Sequence, residues 1–403
     1  MRVILLLALL LSGLSASVED NSQNIDRMQK KMAIDNAEYM FEKAYELFQN
    51  GDSDEAIKTY NELTDEFGNQ AGDEISVIVA QSMFNTAFAY AAKNDTKSEM
   101  LTYERIIKKF AASNDTNIVM ISLNSMHNKA LVYYLREDTR AEISEYERML
   151  KLFQNSSDEN VQILISAALV DSIWAYSKIG ETKKLFASYD NLMSRFGNST
   201  NDFISEEVAQ GMINLALYHE KNNNTKGKIT AYEKFIEKFE NTTNPLIQIS
   251  LVDVMTDLQN DYFDTNDIKK IEPLYRRALD RFGGVENDDI SEAMGVMTTN
   301  KIEFEICAGL KPSFGDEAKK ITYRGDYSSA MYEFLQLIYD TDKNSKTKEI
   351  ASWKERHGDV DFSMFNLKEF DGWAGKLKEP QKSRANECLD ALRELVRKSQ
   401  KSQ

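Results

Sequence analysis

The sequence predicts an all-α fold, an α-solenoid of about six helical hairpins followed by a divergent helical C-terminal region. Three observations predict it. Tyr60, Tyr103, Tyr146, Tyr189, Tyr232 and Tyr275 recur every 43 residues, and Phe67, Phe110, Phe153, Phe196, Phe239 and Phe282 keep the same period seven positions later. Two more columns share the period: Met40, Met83, Met126, Leu169, Met212 and Met255, then Ala44, Ala87, Ala130, Ile173, Ala216 and Gln259. Finally, 42% of the residues are hydrophobic, 28% are charged and only four are Pro, the balance of a helical chain with ample core.

Residues 1–17, MRVILLLALLLSGLSAS, combine an early Arg2, a short apolar run and small residues Ser15 and Ser17, the pattern of a cleaved signal peptide. The run is too short to cross a bilayer comfortably, and a retained N-terminal anchor is the alternative. Beyond it the sequence predicts no further membrane-crossing run, hence no membrane insertion after signal cleavage. Residues 18–31 read as a polar leader and 32–310 as the repeat array.

Within the array, apolar residues between Met32 and Asn50 recur at helical spacing and Gly51 ends the run. Asp54 is placed to cap a second helix that carries Ala56, Ile57, Tyr60, Leu63 and Phe67, with Gly68 at its end. Two such short antiparallel helices cannot bury their apolar faces alone and must stack on the next pair. A further column, Leu47, Tyr90, Tyr133, Tyr176, His219 and Tyr262, falls late in each first helix. Regularity fades after Phe282, Gly283 and Gly284. Residues 288–309 still read as a first helix, LKPSFG interrupts, and 325–338 read as a second helix with Ala330, Phe334 and Leu337 inward. Residues 311–403 form the expected divergent cap, whose last helix follows Pro380.

The segment AYELFQNGDSDEAIKTYNEL resembles a tetratricopeptide repeat, with a small residue and an aromatic late in the first helix, a Gly-Asp turn, then Ala-Ile-x-x-Tyr. The resemblance extends over about residues 36–310 and implies stacked helix pairs with a concave inner surface. The usual unit is about 34 residues long. The added residues lie between one hairpin and the next, which predicts a first helix of about five turns, as in longer bacterial-type repeats. The small residue of the second helix survives only as Ala56, with Glu99, Glu142, Leu185, Lys228 and Ile271 at matching positions. The neighbouring Ile57, Met100, Ile143, Phe186 and Ile229 are expected to take over its packing.

Chemistry is sparse. A net charge of −16 repels phosphate backbones and anionic lipid, so nucleic acid is not an expected partner. The three histidines, His127, His219 and His357, have no second His or Cys at metal spacing, and no phosphate loop or nucleophile elbow appears. No catalytic residue, metal or cofactor is therefore expected. Cys307 and Cys388 could pair in an oxidising compartment or serve as small core residues. The sequons at Asn94, Asn114, Asn155, Asn198, Asn223 and Asn241 fall between helices; in a eukaryotic secreted protein they are glycan candidates, while turn chemistry alone also explains Asn, Ser and Thr there.

One polar column keeps the period: Asn85, Asn128, Asp171, Asn214, Asp257 and Asn300. The resemblance places it on the inner surface, where an amide can bond an extended ligand backbone; alternatively it bonds a neighbouring helix and fixes stacking. The adjoining inward positions are Phe84, Phe88, His127, Leu131, Tyr134, Val170 and Trp174, an apolar groove suited to a peptide or partner protein. The basic clamp with which some relatives hold a C-terminal carboxylate is replaced here by Glu38, Gln81, Asn124, Ala167, Gln210 and Asp253. The expectation is an exported, periplasmic or secreted, non-enzymatic protein-binding scaffold. Its alternatives are an enzyme or enzyme subunit using His357, Asp359, Asp361 and Trp373 in the C-terminal region, or an architectural cell-envelope protein.

Overall fold

Each 43-residue period folds as a long helix and a short one. In this computed structural model the long helices are α1 (27–49), α3 (Asp73–Ala92), α5 (Thr116–Leu135), α7 (Glu159–Ile179), α9 (Asp202–Lys221), α11 (Pro245–Asp264) and α13 (Asp288–Cys307). The short ones are α2 (Ser53–Phe67), α4 (Thr96–Phe110), α6 (Thr139–Phe153), α8 (Thr182–Phe196), α10 (Thr225–Phe239) and α12 (Ile271–Phe282). Then come α14 (Asp316–Thr322), α15 (Asp326–Tyr339) and α16 (Lys346–Arg356). The structure describes residues 27–69, 73–307, 310–322, 324–339 and 346–360, with short stretches between 372 and 397. The expected signal peptide, Asp361, Trp373 and the Cys307–Cys388 pairing lie outside the described residues. No strand occurs among the described residues. The long helices run 20 or 21 residues from α3 onward, so the predicted five turns are present.

The chain divides into two compact units, the first ending at Gly211 and the second beginning at Met212. In the first, α2 to α8 pack consecutively, and α3 also packs on α5 and α5 on α7. In the second, α11 packs on α10, α12 and α13, and α13 on α14 and α15. The end of α13, α15 and Trp353 of α16 share a core whose Trp353 indole donates to the Ala330 carbonyl at 2.9 Å.

The sequence columns account for the core. All six Phe of the first column are buried, as are five of the six Tyr, Tyr189 being half-buried. The Ala44 column is 0% exposed throughout, with Ala in four copies and the larger Ile173 and Gln259 in the other two. Gln259 occupies this column and both of its side-chain polar atoms are buried without a hydrogen-bond partner.

Turns and caps repeat as strictly. Gly51, Asn94, Glu137, Gly180, Asn223 and Asn266 lie 43 residues apart between long and short helix, and each takes a left-handed backbone, φ between +54° and +85°. In every copy the next N–H donates to a carbonyl near the end of the long helix, as Asp95 N does to Tyr90 O at 2.9 Å. Asp115, Asp158, Asn201, Asn244 and Asn287 begin the long helices, each accepting a backbone N–H three residues on. Basic side chains close the short helices: Lys109 donates to Gly68 O at 2.7 Å and Arg195 to Gln154 O at 2.6 Å.

Three expectations need correction. Asp54 is not the cap of α2; Asp52 precedes the helix, while Asp54 sits in its first turn and pairs with Lys93. The Ala56 column has not surrendered its packing role. Glu99, Glu142, Leu185, Lys228 and Ile271 are all buried, because the helical register turns this position toward the partner helix whatever residue fills it. Met100, Phe186 and Ile229 are only half-buried. And Glu74–Ala92 is long and apolar enough to cross a membrane, contrary to the sequence expectation; half of it is buried in the first unit, against α2, α4 and α5.

Two outcomes follow. Glu137 is the one residue of the turn column that is neither Gly nor Asn, and it has neither the missing Cβ of Gly nor the short amide with which Asn bonds its own backbone in the left-handed region. Glu137→Asn should raise the midpoint of urea unfolding, by about 0.5–1 kcal/mol; an unchanged midpoint would show the strain to be relieved. Gln259→Met keeps the volume and removes a buried unpaired amide, and should stabilise the chain by about 1–2 kcal/mol in the same measurement; a loss would show that the amide has a partner.

Candidate functional site

The expected site residues lie on α3, α5 and α7, except Asn214, which is buried on α9 and belongs to the second unit. Of the others, Phe88 (39% exposed), Leu131 (46%), Tyr134 (43%) and Trp174 (39%) are open to solvent. Phe84, His127, Asn128 and Asp171 are half-buried, whereas Val170 and Asn85 are buried.

Four members of the polar column bond the tyrosine of the preceding short helix. Asn85 donates to the Tyr60 hydroxyl at 3.1 Å and Asn128 to Tyr103 at 3.2 Å. Tyr146 bonds Asp171, and Tyr232 donates to Asp257 at 3.1 Å. In these four copies a buried phenol on one short helix is thus satisfied by the next long helix, 25 residues on. The last copy departs: Tyr275 bonds Thr298 at 3.2 Å, while Asn300 donates to Asn260 at 3.0 Å.

What remains open is a ladder of apolar side chains. Tyr45 (47% exposed) precedes Phe88 by one period, so Tyr45, Phe88, Leu131 and Trp174 occupy one position on α1, α3, α5 and α7. Sequence reasoning omitted Tyr45 from the site, although the 43-residue spacing was there to find it. Phe41 lies parallel to Tyr45 at 6.4 Å, and Phe84 meets Phe88 edge-on at 4.7 Å. Beside Trp174 the Lys178 ammonium stands 4.1 Å from the Tyr134 ring centre and 5.9 Å from that of Trp174.

Acidic groups flank this end. Burial raises the Asp171 carboxyl, with His127 and the Tyr146 hydroxyl opposing it. Burial, then Asp171 and Glu206, push Glu207 up to about 7. Burial also raises Glu142, whose Oε2 has no hydrogen-bond partner; Lys178 opposes that shift and Asp171 adds to it.

In the C-terminal region His357 lies 3.0 Å from Glu333, which also accepts from Arg356 at 2.6 Å, and Asp359 is exposed. Among the described residues no group of three or more His, Cys, Asp or Glu is arranged to hold a metal.

The family model of the tetratricopeptide repeat matches residues 81–113, the last three turns of α3 together with α4. Over this stretch the chain is similar to the tetratricopeptide repeat. The match begins eight residues into α3, so the start of that helix lies outside the matched unit. The solved structures it resembles include the apo form of RapI (12% identity, 91% of this chain and 98% of that one, TM-score 0.47). A tetratricopeptide repeat protein from Parabacteroides merdae matches at 11% identity over 72% and 98% of the two chains, TM-score 0.38. A Rap protein complexed with competence and sporulation factor matches at 11% over 92% and 100%, TM-score 0.34. No curated protein matches the chain at a significant level.

The raised Glu207 gives a pH dependence of definite sign. The folded state keeps this proton up to about 7 while the unfolded chain loses it near 4.5, so stability present below 4.5 is lost as pH rises through 7. Glu207→Gln should therefore stabilise the protein by about 1–2 kcal/mol at pH 8 and leave it unchanged at pH 4. Equal unfolding midpoints of the two proteins at pH 8 would refute this assignment.

Proposed function

We propose that this tetratricopeptide protein is an exported, non-enzymatic scaffold that binds a protein or peptide partner on the long-helix face of its first unit. One observation carries the reading: the ladder of Tyr45, Phe88, Leu131 and Trp174, large apolar side chains kept exposed at one repeat position. A core position repeated by the fold would be buried, as the Tyr and Phe columns are; these four are 39% to 47% exposed. Packing therefore gives no reason for their size, whereas a partner surface does.

The amides beside the ladder take a supporting part in this reading. They hold the long helices in register through the tyrosine hydroxyls, which fixes the spacing at which the ladder is presented. Export rests on residues 1–17, and the periplasm or the extracellular space is the compartment it implies.

Crosslinking capture from the native host should recover a partner with the wild-type chain and lose it with Phe88→Glu and with Trp174→Glu, both with unchanged circular dichroism. Recovery of the same partner with all three chains would rule out this face. Mass spectrometry of the protein from its host should show an N-terminus after about residue 17; an intact Met1 would remove the export reading alone.

A further inference from the structure

The ladder's dimensions and its surrounding charge narrow the class of partner. Direct packing of α3 on α5 and α5 on α7 sets neighbouring axes about 8–10 Å apart. Ala37 of α1 shares a core with Val79 and Met83 of α3, so the first step has the same character. A β-extended peptide returns side chains to one face about every 6.7 Å, too short for these steps, or every second such residue at about 13 Å, too long; a polyproline II peptide, at about 9.3 Å per turn, meets the steps too and is told apart from a helix by the Pro-containing peptide below. An α-helix returns them every seven residues, about 10.5 Å. Four rungs then match positions 1, 8, 15 and 22 of a single helix, with a mismatch that tilt across the rungs absorbs.

Charge selects among such helices. At one end of the ladder Glu38 and Glu42 are exposed on α1; at the other, Asp171, Glu206 and Glu207 crowd beside Trp174. The whole chain carries a net −16. Lys178 already occupies the aromatic pair Tyr134 and Trp174, which shows that the pair accepts an ammonium.

We infer that the partner is a basic amphipathic α-helix of about 22 residues, lying across the long helices with one apolar side chain per heptad on each of Tyr45, Phe88, Leu131 and Trp174. Its lysines or arginines meet Glu38 and Glu42 at one end, and one of them displaces Lys178 over Tyr134 at the other. This rests on the scaffold reading and names the partner of the same face.

Four fluorescein-labelled 22-residue peptides, titrated by anisotropy against the full chain, test it. The first has Leu at positions 1, 8, 15 and 22 among Lys, Arg and Ala; the second replaces its basic residues by Glu. The third scrambles the Leu positions at constant charge, and the fourth carries a central Pro. The first should bind at least tenfold more tightly than each of the others, and its affinity should fall with salt. Leu131→Glu and the milder Trp174→Ala, checked by circular dichroism, should each weaken it at least tenfold, and Lys178→Ala should not.

Equal binding of the scrambled peptide would reduce the effect to charge and overturn the inference, as would equal binding of the Pro peptide, which points to an extended occupant. If no peptide binds while Phe88→Glu still loses the host partner, the scaffold reading stands and the basic helix falls. If Phe88→Glu and Trp174→Glu keep that partner, the scaffold reading itself fails.

Discussion

A buried tyrosine hydroxyl that must find a partner is the constraint on which this fold depends. Tyr60, Tyr103 and Tyr232 lie 0% to 2% exposed on short helices, and a phenol removed from water without a hydrogen bond costs about 1–3 kcal/mol. Each is answered by an amide or carboxylate 25 residues later, on the long helix of the following copy. The bond therefore does what apolar burial cannot do alone. Oily faces tolerate sliding by a turn, whereas a hydroxyl and an amide meet in one register only.

Departures from the repeat are where charge has entered the interior. Lys129 is 6% exposed and donates to Glu104 at 2.8 Å and Glu145 at 2.7 Å, and Arg148 adds a second contact to Glu104. Burial would raise Glu104, yet its bonds to Arg148 and Lys129 hold it down at about 2. In the second unit Lys228 occupies the column of Ala56 and reaches Glu220 at 2.8 Å and Asp261 at 3.2 Å. Another grouping is shared by the two units: Glu147 accepts from Tyr176 and Lys184, and 86 residues on Glu233 accepts from Tyr262 and Lys270. Removing a single member of such a cluster strands the rest, so these sites tolerate less change than the apolar columns.

How far the molecule could be read from its sequence follows from this division. Columns of one residue type were legible because stacking reuses each interior position, and the burial of Phe67 through Phe282 and of the Ala44 column bears that out. The stacking role of the polar column was visible only as one of two readings, since deciding between them needs the distance from Asn85 to Tyr60. The charged substitutions at Glu99, Glu142 and Lys228 misled, because a charge in a variable column reads as exposure until its partners, 8 and 33 residues away for Lys228, are brought together by the fold. Tyr45 was missed for a simpler reason: helical spacing assigned it to the apolar stripe of its own helix, and only comparison with Phe88, Leu131 and Trp174 sets it apart.

The left-handed turn that separates long from short helix has a mechanical consequence. Among the described residues of the first unit it joins helices that pack on near neighbours, with no later helix packed back on a distant earlier one. Tension applied along the chain would meet no single clamp and would peel hairpins away one after another. Each 43-residue release would lengthen the tether by about 14–15 nm of extended chain, a sawtooth of small, near-equal steps instead of one abrupt rupture.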